Sequence, residues 1–217
     1  MPILQARTIP NVITVGRILV APAVFILILT PGFWPRLVAF ALFLIAAFSD
    51  LIDGHLARKH GWISDFGKLM DPLADKLLLV ATFLPFYIVS HRPGPAGHLP
   101  YWGELPLWLI VVIFGRELVV TVVRQLEAQR GRVIPAGTAG KYKTVFQNIF
   151  SGSAIFWYAL RDRAAERGWT GTAWEHWQGL LHGPVVAISL LIALLLTVYS
   201  MIVYFRSWRA LPPGSPS

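Results

Sequence analysis

Six apolar runs, each close to the length needed to cross a lipid bilayer, dominate this sequence. They lie near residues 12–29, 37–57, 72–90, 105–126, 144–160 and 183–205. A helix that spans the hydrocarbon core needs about 20 predominantly apolar residues. The chain is also 55% hydrophobic and only 14% charged, which is too apolar for an ordinary soluble domain. The sequence therefore predicts an all-α membrane protein with six transmembrane helices.

Segments rich in proline and glycine separate several of these runs, as in TPGFWPR, HRPGPAGHLP and GRVIPAGTAG. No internal repeat divides the chain. We expect residues 1–217 to form a single membrane domain, in which residues 1–10 are a short interfacial segment and residues 211–217 a disordered tail. The segment RDRAAERGWTGTAWEHW, before the last run, suits an amphipathic helix at the membrane surface.

The distribution of basic residues predicts the orientation in the membrane. With six spans both termini lie on one side, together with most of the 19 lysines and arginines. The exceptions are Arg36, Arg92, Arg161, Arg163 and Arg167. The positive-inside rule places the termini in the cytoplasm, although active-site charge on that side would produce the same bias. No basic low-complexity run is present, so we expect no nucleic acid partner.

Four aspartates occur at helical spacing around the end of the second run and the start of the third. Asp50 and Asp53 are three residues apart, and Asp71 and Asp75 are four apart, so each pair shares one helical face. A charge at the centre of a membrane helix costs roughly 2.5–3.5 kcal/mol, and two divalent cations would balance four carboxylates.

Oxygen ligands suit Mg²⁺ or Mn²⁺, and the chain has no cysteine that would offer a thiolate instead. The sequence therefore predicts a site for two divalent cations that can bind a diphosphate. The alternative is that the aspartates cap helices or pair with neighbouring basic side chains.

This spacing resembles the signature of the CDP-alcohol phosphatidyltransferase family, D-x2-D-G-x2-A-R-x8-G-x3-D-x3-D, at every position. The matching residues are Asp50, Asp53, Gly54, Ala57, Arg58, Gly67, Asp71 and Asp75. The resemblance implies a six-helix enzyme with a cytoplasm-facing active site in the cytoplasmic (inner) membrane of a bacterium. It also implies transfer of the phosphatidyl group from CDP-diacylglycerol to an alcohol, with release of CMP.

The resemblance further assigns roles to the signature residues. The four aspartates would hold two metal ions, Mg²⁺ or Mn²⁺, and Asp75 would also act as the catalytic base. That second role requires Asp75 not to be tightly ligated, because a carboxylate that binds a cation firmly accepts a proton poorly. The residues implied to bind CDP are Asp50, Gly54, Ala57, Arg58 and Gly67.

Three shorter segments, IPNVITVGR, GRELVVTVVRQ and AGKYKTVFQN, resemble the bacterial branch of this family that accepts glycerol 3-phosphate. By that resemblance the mouth of the site is lined by Asn11, Thr14 and Arg17, and the acceptor-phosphate pocket by Arg116, Arg124, Lys141 and Lys143. A phosphorylated acceptor needs such cations. Alternatively, Arg116 simply pairs with Glu117, and the two lysines are interfacial anchors.

Other functions remain open at this stage. A transferase of the same family would use inositol phosphate, serine or phosphatidylglycerol as acceptor and keep the aspartates. A membrane prenyltransferase also uses aspartates and Mg²⁺, but divides them between well-separated motifs. A divalent-cation transporter is the non-enzyme alternative, since intramembrane carboxylates line ion pathways. The expected partners are CDP-diacylglycerol, glycerol 3-phosphate and membrane lipid, and a homodimer is left open.

Overall fold

A computed structural model describes residues 9–60, 65–131 and 138–210, and within these ranges the chain is helical with no strand. The side chains of residues 9, 10, 50–60, 65–69, 71, 95, 138 and 139 lie outside the description. The helices are α1 Ile9–Leu29, α2 Phe33–His60, α3 Asp65–Ser90, α4 Leu107–Gln129, α5 Thr138–Glu166, α6 Ala173–Leu181 and α7 Gly183–Arg209, with a 3₁₀ turn at Pro95–Gly97.

The predicted all-helical class and the count of six long helices are both confirmed. Each apolar run corresponds to one of α1 to α5 or α7, with the run at 105–126 beginning two residues before α4, and α6 is the short helix in the segment before the last run. Three stretches are long and apolar enough to cross a membrane by length and composition: Asn11–Leu29, Pro72–Ser90 and Ala173–Arg209, which holds α6 and α7. Many large apolar side chains on these helices face outward, as in a protein surrounded by lipid.

The interior is built around aromatic side chains from α3 and α5. The ring centroids of Phe83 and Phe150 are 5.1 Å apart, and those of Phe86 and Phe150 are 5.5 Å apart. Tyr158 continues the cluster at 6.0 Å from Phe86. On the neighbouring face of α5, a Cβ on Gly152 would lie 3.4 Å from the Phe43 ring of α2, so glycine allows these helices to pack closely.

A polar network joins the helices at one end of the bundle, which we call the distal end. Arg36 of α2 is buried; its guanidinium donates to Asp162 of α5 at 2.9 Å and lies over the Tyr158 ring. The second oxygen of Asp162 accepts from the Gly32 backbone N–H at 2.6 Å. Asp162 therefore pairs with a buried cation through one oxygen. Through the other it accepts from a backbone N–H at the start of α2 that has no partner within the helix.

Further contacts at the distal end fix the direction of the remaining helices. Arg92, just after α3, donates to the last carbonyl of α1. The backbone N–H of Leu105, before α4, donates to Ser90 at the end of α3. Trp102 donates to the Ala187 carbonyl near the start of α7. Helices α1, α3 and α5 thus end where α2, α4 and α7 begin, and the long helices alternate in direction.

We predict that Asp162→Ala lowers the stability of the protein strongly. It would leave the Arg36 guanidinium buried without its carboxylate and the Gly32 N–H without its acceptor, a change that costs roughly 3–5 kcal/mol. The measurement is thermal unfolding of the purified protein in detergent. Glu166→Ala is the matched control, because Glu166 accepts from Phe33 on the same end of α2 but is exposed. Equal losses in the two variants would contradict the assignment.

Candidate functional site

Helices α1 to α5 enclose a cavity of about 110 Å³ at the end of the bundle opposite the distal network. We call this the cavity end. The polar residues that line it are Arg17 from α1, Asp75, Lys76 and Thr82 from α3, Glu117 from α4, and Lys143, Thr144, Gln147, Asn148 and Ser151 from α5. Apolar side chains of α2 and α3 complete the wall. The cavity is therefore polar, although it lies between helices that are apolar for most of their length.

An ion pair between α1 and α3 forms one side of the cavity. The guanidinium of Arg17 donates to an Oδ of Asp75 at 2.9 Å. Arg17 is only 3% exposed, whereas the Asp75 side chain is 54% exposed. Thr14 is buried one turn before Arg17, and Asn11 is partly exposed a further turn away. These α1 residues share one face of the helix, and Arg17 holds Asp75 toward the cavity. Asn11 and Thr14 are not among the described lining residues, so the prediction that all three line the mouth of the site stays a prediction.

Glu117 of α4 organises the other side of the cavity by binding two cations. Its Oε1 accepts from the Arg116 guanidinium at 3.1 Å and from the Lys143 ammonium of α5. Arg116 also donates to Ser200 of α7 at 3.2 Å. Lys143 is almost completely buried, and a buried ammonium needs such a partner because its desolvation is costly. Pairing of Arg116 with Glu117, the simpler interpretation of the sequence, is thus present.

The four basic residues of the expected phosphate pocket have different positions. Lys143 lines the cavity, and Arg116 lies behind it on the shared Glu117 carboxylate. Lys141 is exposed and does not line the cavity. Arg124 is also exposed and lies beside Tyr204 of α7. The structure thus brings Lys143 together with Arg17 and Asp75, and it leaves Lys141 and Arg124 outside the cavity wall.

Sequence reasoning missed the neutral polar residues on the cavity side of α5. Gln147 and Ser151 follow Lys143 at intervals of four, so all three occupy one helical face. Ser151 donates to Thr82 of α3 at 3.2 Å across the helix interface. Polar residues repeating every four positions inside an apolar run were the available signal, because such a stripe marks a face that avoids lipid.

Of the four aspartates, only Asp75 has a described side chain, and it lies at the cavity. The backbones of Asp50 and Asp53 belong to the second half of α2, and that of Asp71 to α3. For the signature residues other than Asp75, only the backbone is described; these are Asp50, Asp53, Gly54, Ala57, Arg58, Gly67 and Asp71. Within the described part, no group of three or more metal-ligating side chains occurs. The predicted donor set is all carboxylate oxygen, which fits Mg²⁺ or Mn²⁺.

Comparison with known proteins relates most of the chain to one family. A profile described as CDP-alcohol phosphatidyltransferase matches residues 7–199. A CDP-diacylglycerol–glycerol-3-phosphate 3-phosphatidyltransferase of Bacillus subtilis (strain 168) is 33% identical, with 94% of this chain and 96% of the relative covered. A probable phosphatidylglycerophosphate synthase of Mycobacterium tuberculosis (strain CDC 1551 / Oshkosh) is 37% identical over 68% of this chain and 66% of the relative. A cardiolipin synthase (CMP-forming) of Oryza sativa subsp. japonica is 31% identical over 94% of this chain and 58% of the relative.

We predict that Glu117→Gln destabilises the protein more than Lys143→Met does. The first change leaves two cations, one of them deeply buried, without their shared carboxylate, at a cost of roughly 3–5 kcal/mol. The second removes the buried charge and leaves Glu117 paired with Arg116. Thermal unfolding in detergent measures both variants under the same conditions. A larger loss in Lys143→Met would show that Glu117 is not the residue that compensates the buried charges.

Proposed function

The chain belongs to the CDP-alcohol phosphatidyltransferase family, and we propose that it transfers the phosphatidyl group of CDP-diacylglycerol to sn-glycerol 3-phosphate. The products are phosphatidylglycerophosphate and CMP. The observation that carries the choice of acceptor is the buried ammonium of Lys143 in the cavity beside Asp75. A buried cation at such a site suits an acceptor that carries its own phosphate. Two of the relatives above are named for this product or this acceptor.

A second candidate acceptor is phosphatidylglycerol, because one relative is named as a cardiolipin synthase. The cavity favours the first candidate. Its volume of about 110 Å³ suits a small polar molecule, and its most buried charged residues, Arg17 and Lys143, suit a compact anion. Glycerol 3-phosphate is both small and doubly charged, whereas a lipid acceptor brings two acyl chains to the same place.

The four aspartates fit a two-metal site, so Asp50, Asp53, Asp71 and Asp75 would hold two divalent cations, Mg²⁺ or Mn²⁺. Such ions, when bound, supply charge neutralisation on the diphosphate and on the leaving phosphate. Asp50, Gly54, Ala57, Arg58 and Gly67 are proposed to bind CDP, by the family signature. Asp75 is the signature aspartate whose side chain the structure describes. It supports this arrangement, because its half-exposed carboxylate lies at the cavity.

The chain's own residues would position the acceptor for attack. Lys143, held by Glu117, binds the acceptor phosphate, and Arg17 fixes the Asp75 carboxylate close to the acceptor hydroxyl. The hydroxyl oxygen bonds to the lipid-side phosphorus, the bond from that phosphorus to the CMP oxygen breaks, and the hydroxyl proton passes to Asp75. Positioning and electrostatics provide most of the catalysis in phosphoryl transfer. Arg116 would support the pocket through Glu117, and Lys141 and Arg124 would attract anions from its surroundings.

The cavity end is proposed to face the cytoplasm, with the six long helices spanning the inner membrane of a bacterium. Three of the five basic residues that the sequence placed on the outer side, Arg36, Arg92 and Arg161, make their contacts at the distal end. The cavity carries Arg17, Lys76 and Lys143 at the other end. This separation agrees with the positive-inside rule, and it gives water-soluble glycerol 3-phosphate and CMP access from the cytoplasm.

We predict that the purified protein, supplied with CDP-diacylglycerol and Mg²⁺ or Mn²⁺, releases CMP with glycerol 3-phosphate. Release with inositol phosphate, serine or phosphatidylglycerol should be far slower. Asp71→Asn and Asp75→Asn should each lower the rate by about 100-fold or more, the range expected when a positioned acid–base or ligand group is lost. The assay follows CMP by chromatography and the lipid product by mass spectrometry.

Glu104→Gln is the control for these variants, because Glu104 is an exposed carboxylate in the loop before α4 at the distal end. It should retain the parental rate. A faster reaction with another acceptor would refute the acceptor assignment. Full CMP release by both aspartate variants would refute the role of the signature residues.

We predict that single cysteines report opposite sides of the membrane for the two ends of the bundle. The native chain has no cysteine, so Tyr101→Cys at the distal end and Gln129→Cys at the end of α4 each give one thiol, and both positions are exposed. A membrane-impermeant maleimide should label Tyr101→Cys in intact spheroplasts and Gln129→Cys only after permeabilisation. The reverse pattern would place the cavity outside the cytoplasm.

A further inference from the structure

The inner part of the cavity differs chemically from its charged mouth. Beyond Lys143 its polar side chains are neutral and come from Gln147, Asn148 and Ser151 of α5 and Thr82 of α3. Asn148 is partly exposed, whereas the other three are buried. Thr82 donates to backbone carbonyls of its own helix, and Ser151 donates to Thr82. The donors of these two hydroxyls are therefore used within the protein.

Gln147 is in a different position. Its residue is only 3% exposed, and its side-chain Nε2 is buried without a hydrogen-bond partner among the described residues. Burying an amide donor without an acceptor costs roughly 1–3 kcal/mol, and an apolar residue of similar shape would avoid that cost. A glutamine at this lining position is therefore placed to donate to a molecule bound in the cavity.

The helical geometry limits which atom of that molecule can accept the hydrogen bond. Lys143 and Gln147 are one turn apart on one face of α5, about 5–6 Å between their Cβ atoms. If Lys143 binds the acceptor phosphate, Gln147 reaches an oxygen of the same small molecule rather than of a second one. The reacting primary hydroxyl must point toward the diphosphate and Asp75. The secondary hydroxyl of glycerol 3-phosphate is the neutral oxygen that remains.

We propose that Gln147 is a specificity-determining residue whose Nε2 donates a hydrogen bond to the secondary hydroxyl of the acceptor. This assignment rests on the function proposed above. It concerns the secondary hydroxyl, which is the part of the acceptor that the basic residues do not recognise. Lys143 selects for a phosphate, and Gln147 selects for a hydroxyl on the carbon between the phosphate and the reacting group. A site that hydrogen-bonds a hydroxyl discriminates strongly against a substrate that lacks it, because the buried donor then stays unpaired.

The test compares glycerol 3-phosphate with 3-hydroxypropyl phosphate, which lacks the secondary hydroxyl, in the wild-type protein and in Gln147→Met. In the wild type, kcat/KM should fall roughly 10- to 100-fold when the hydroxyl is removed. In Gln147→Met, which has similar volume and no donor, the two acceptors should react within about threefold of each other. Gln147→Asn, which withdraws the amide by one carbon, gives a second variant and should lose most of the discrimination.

Gln125→Met is the matched control, since Gln125 is exposed on α4 and does not line the cavity. It should keep the wild-type ratio between the two acceptors. Equal use of both acceptors by the wild type would overturn the assignment without reference to any variant. The assignment would also be overturned if Gln147→Met kept the wild-type ratio of kcat/KM between the two acceptors. Another group would then recognise the secondary hydroxyl. A wild type that does not use glycerol 3-phosphate at all would refute the proposed function as well.

Discussion

The arrangement of this bundle depends on carboxylates that each bind two partners, at least one of them a buried cation from another helix. Between helices surrounded by lipid, apolar contact alone gives little preference for one arrangement, because lipid tails are as apolar as leucine. Asp162 of α5 binds Arg36 of α2 and the Gly32 N–H just before α2, and Glu117 joins α4 to Lys143 of α5. Each carboxylate offsets the desolvation of a buried cation, so each contact specifies which helices are neighbours and in what register.

The two ends of the bundle use the same interaction for different purposes. At the distal end, the guanidinium of Arg36 and both oxygens of Asp162 have protein partners, so this buried pair is satisfied within the protein. At the cavity end, Asp75 is half exposed, and Lys143 faces a space with a volume of about 110 Å³. Asp75 and Lys143 also have ion-pair partners, Arg17 and Glu117, and both still border this space. Both ends thus contribute buried ion pairs to stability, and the polar cavity lies at only one of them.

The sequence predicted the helical class, the six long helices and the family, because apolar run length and the spacing of the aspartates are local properties. It did not distinguish Lys141 from Lys143. These residues are two positions apart and so point to different sides of α5, and only tertiary packing determines that Lys143 is buried. The pairing of Arg36 with Asp162, 126 positions away, was equally inaccessible. The stripe of Lys143, Gln147 and Ser151 was detectable, since a polar repeat of four in an apolar run indicates a protected face. The metal-ligand roles of Asp50, Asp53, Asp71 and Asp75, and the role of Asp75 as a base, stay predictions.

Charge balance explains why net charge alone cannot select the acceptor. The described lining holds three cations, Arg17, Lys76 and Lys143, against two carboxylates, Asp75 and Glu117, so its net charge is only +1. Individual cations close to the phosphate, rather than a large net electrostatic field of the cavity, would attract a phosphate dianion to such a site. Many phosphorylated alcohols share that dianion, and a nearly balanced cavity would bind them similarly. Discrimination must then come from neutral groups at fixed positions, and Gln147 is buried at such a position, one helical turn from the lysine.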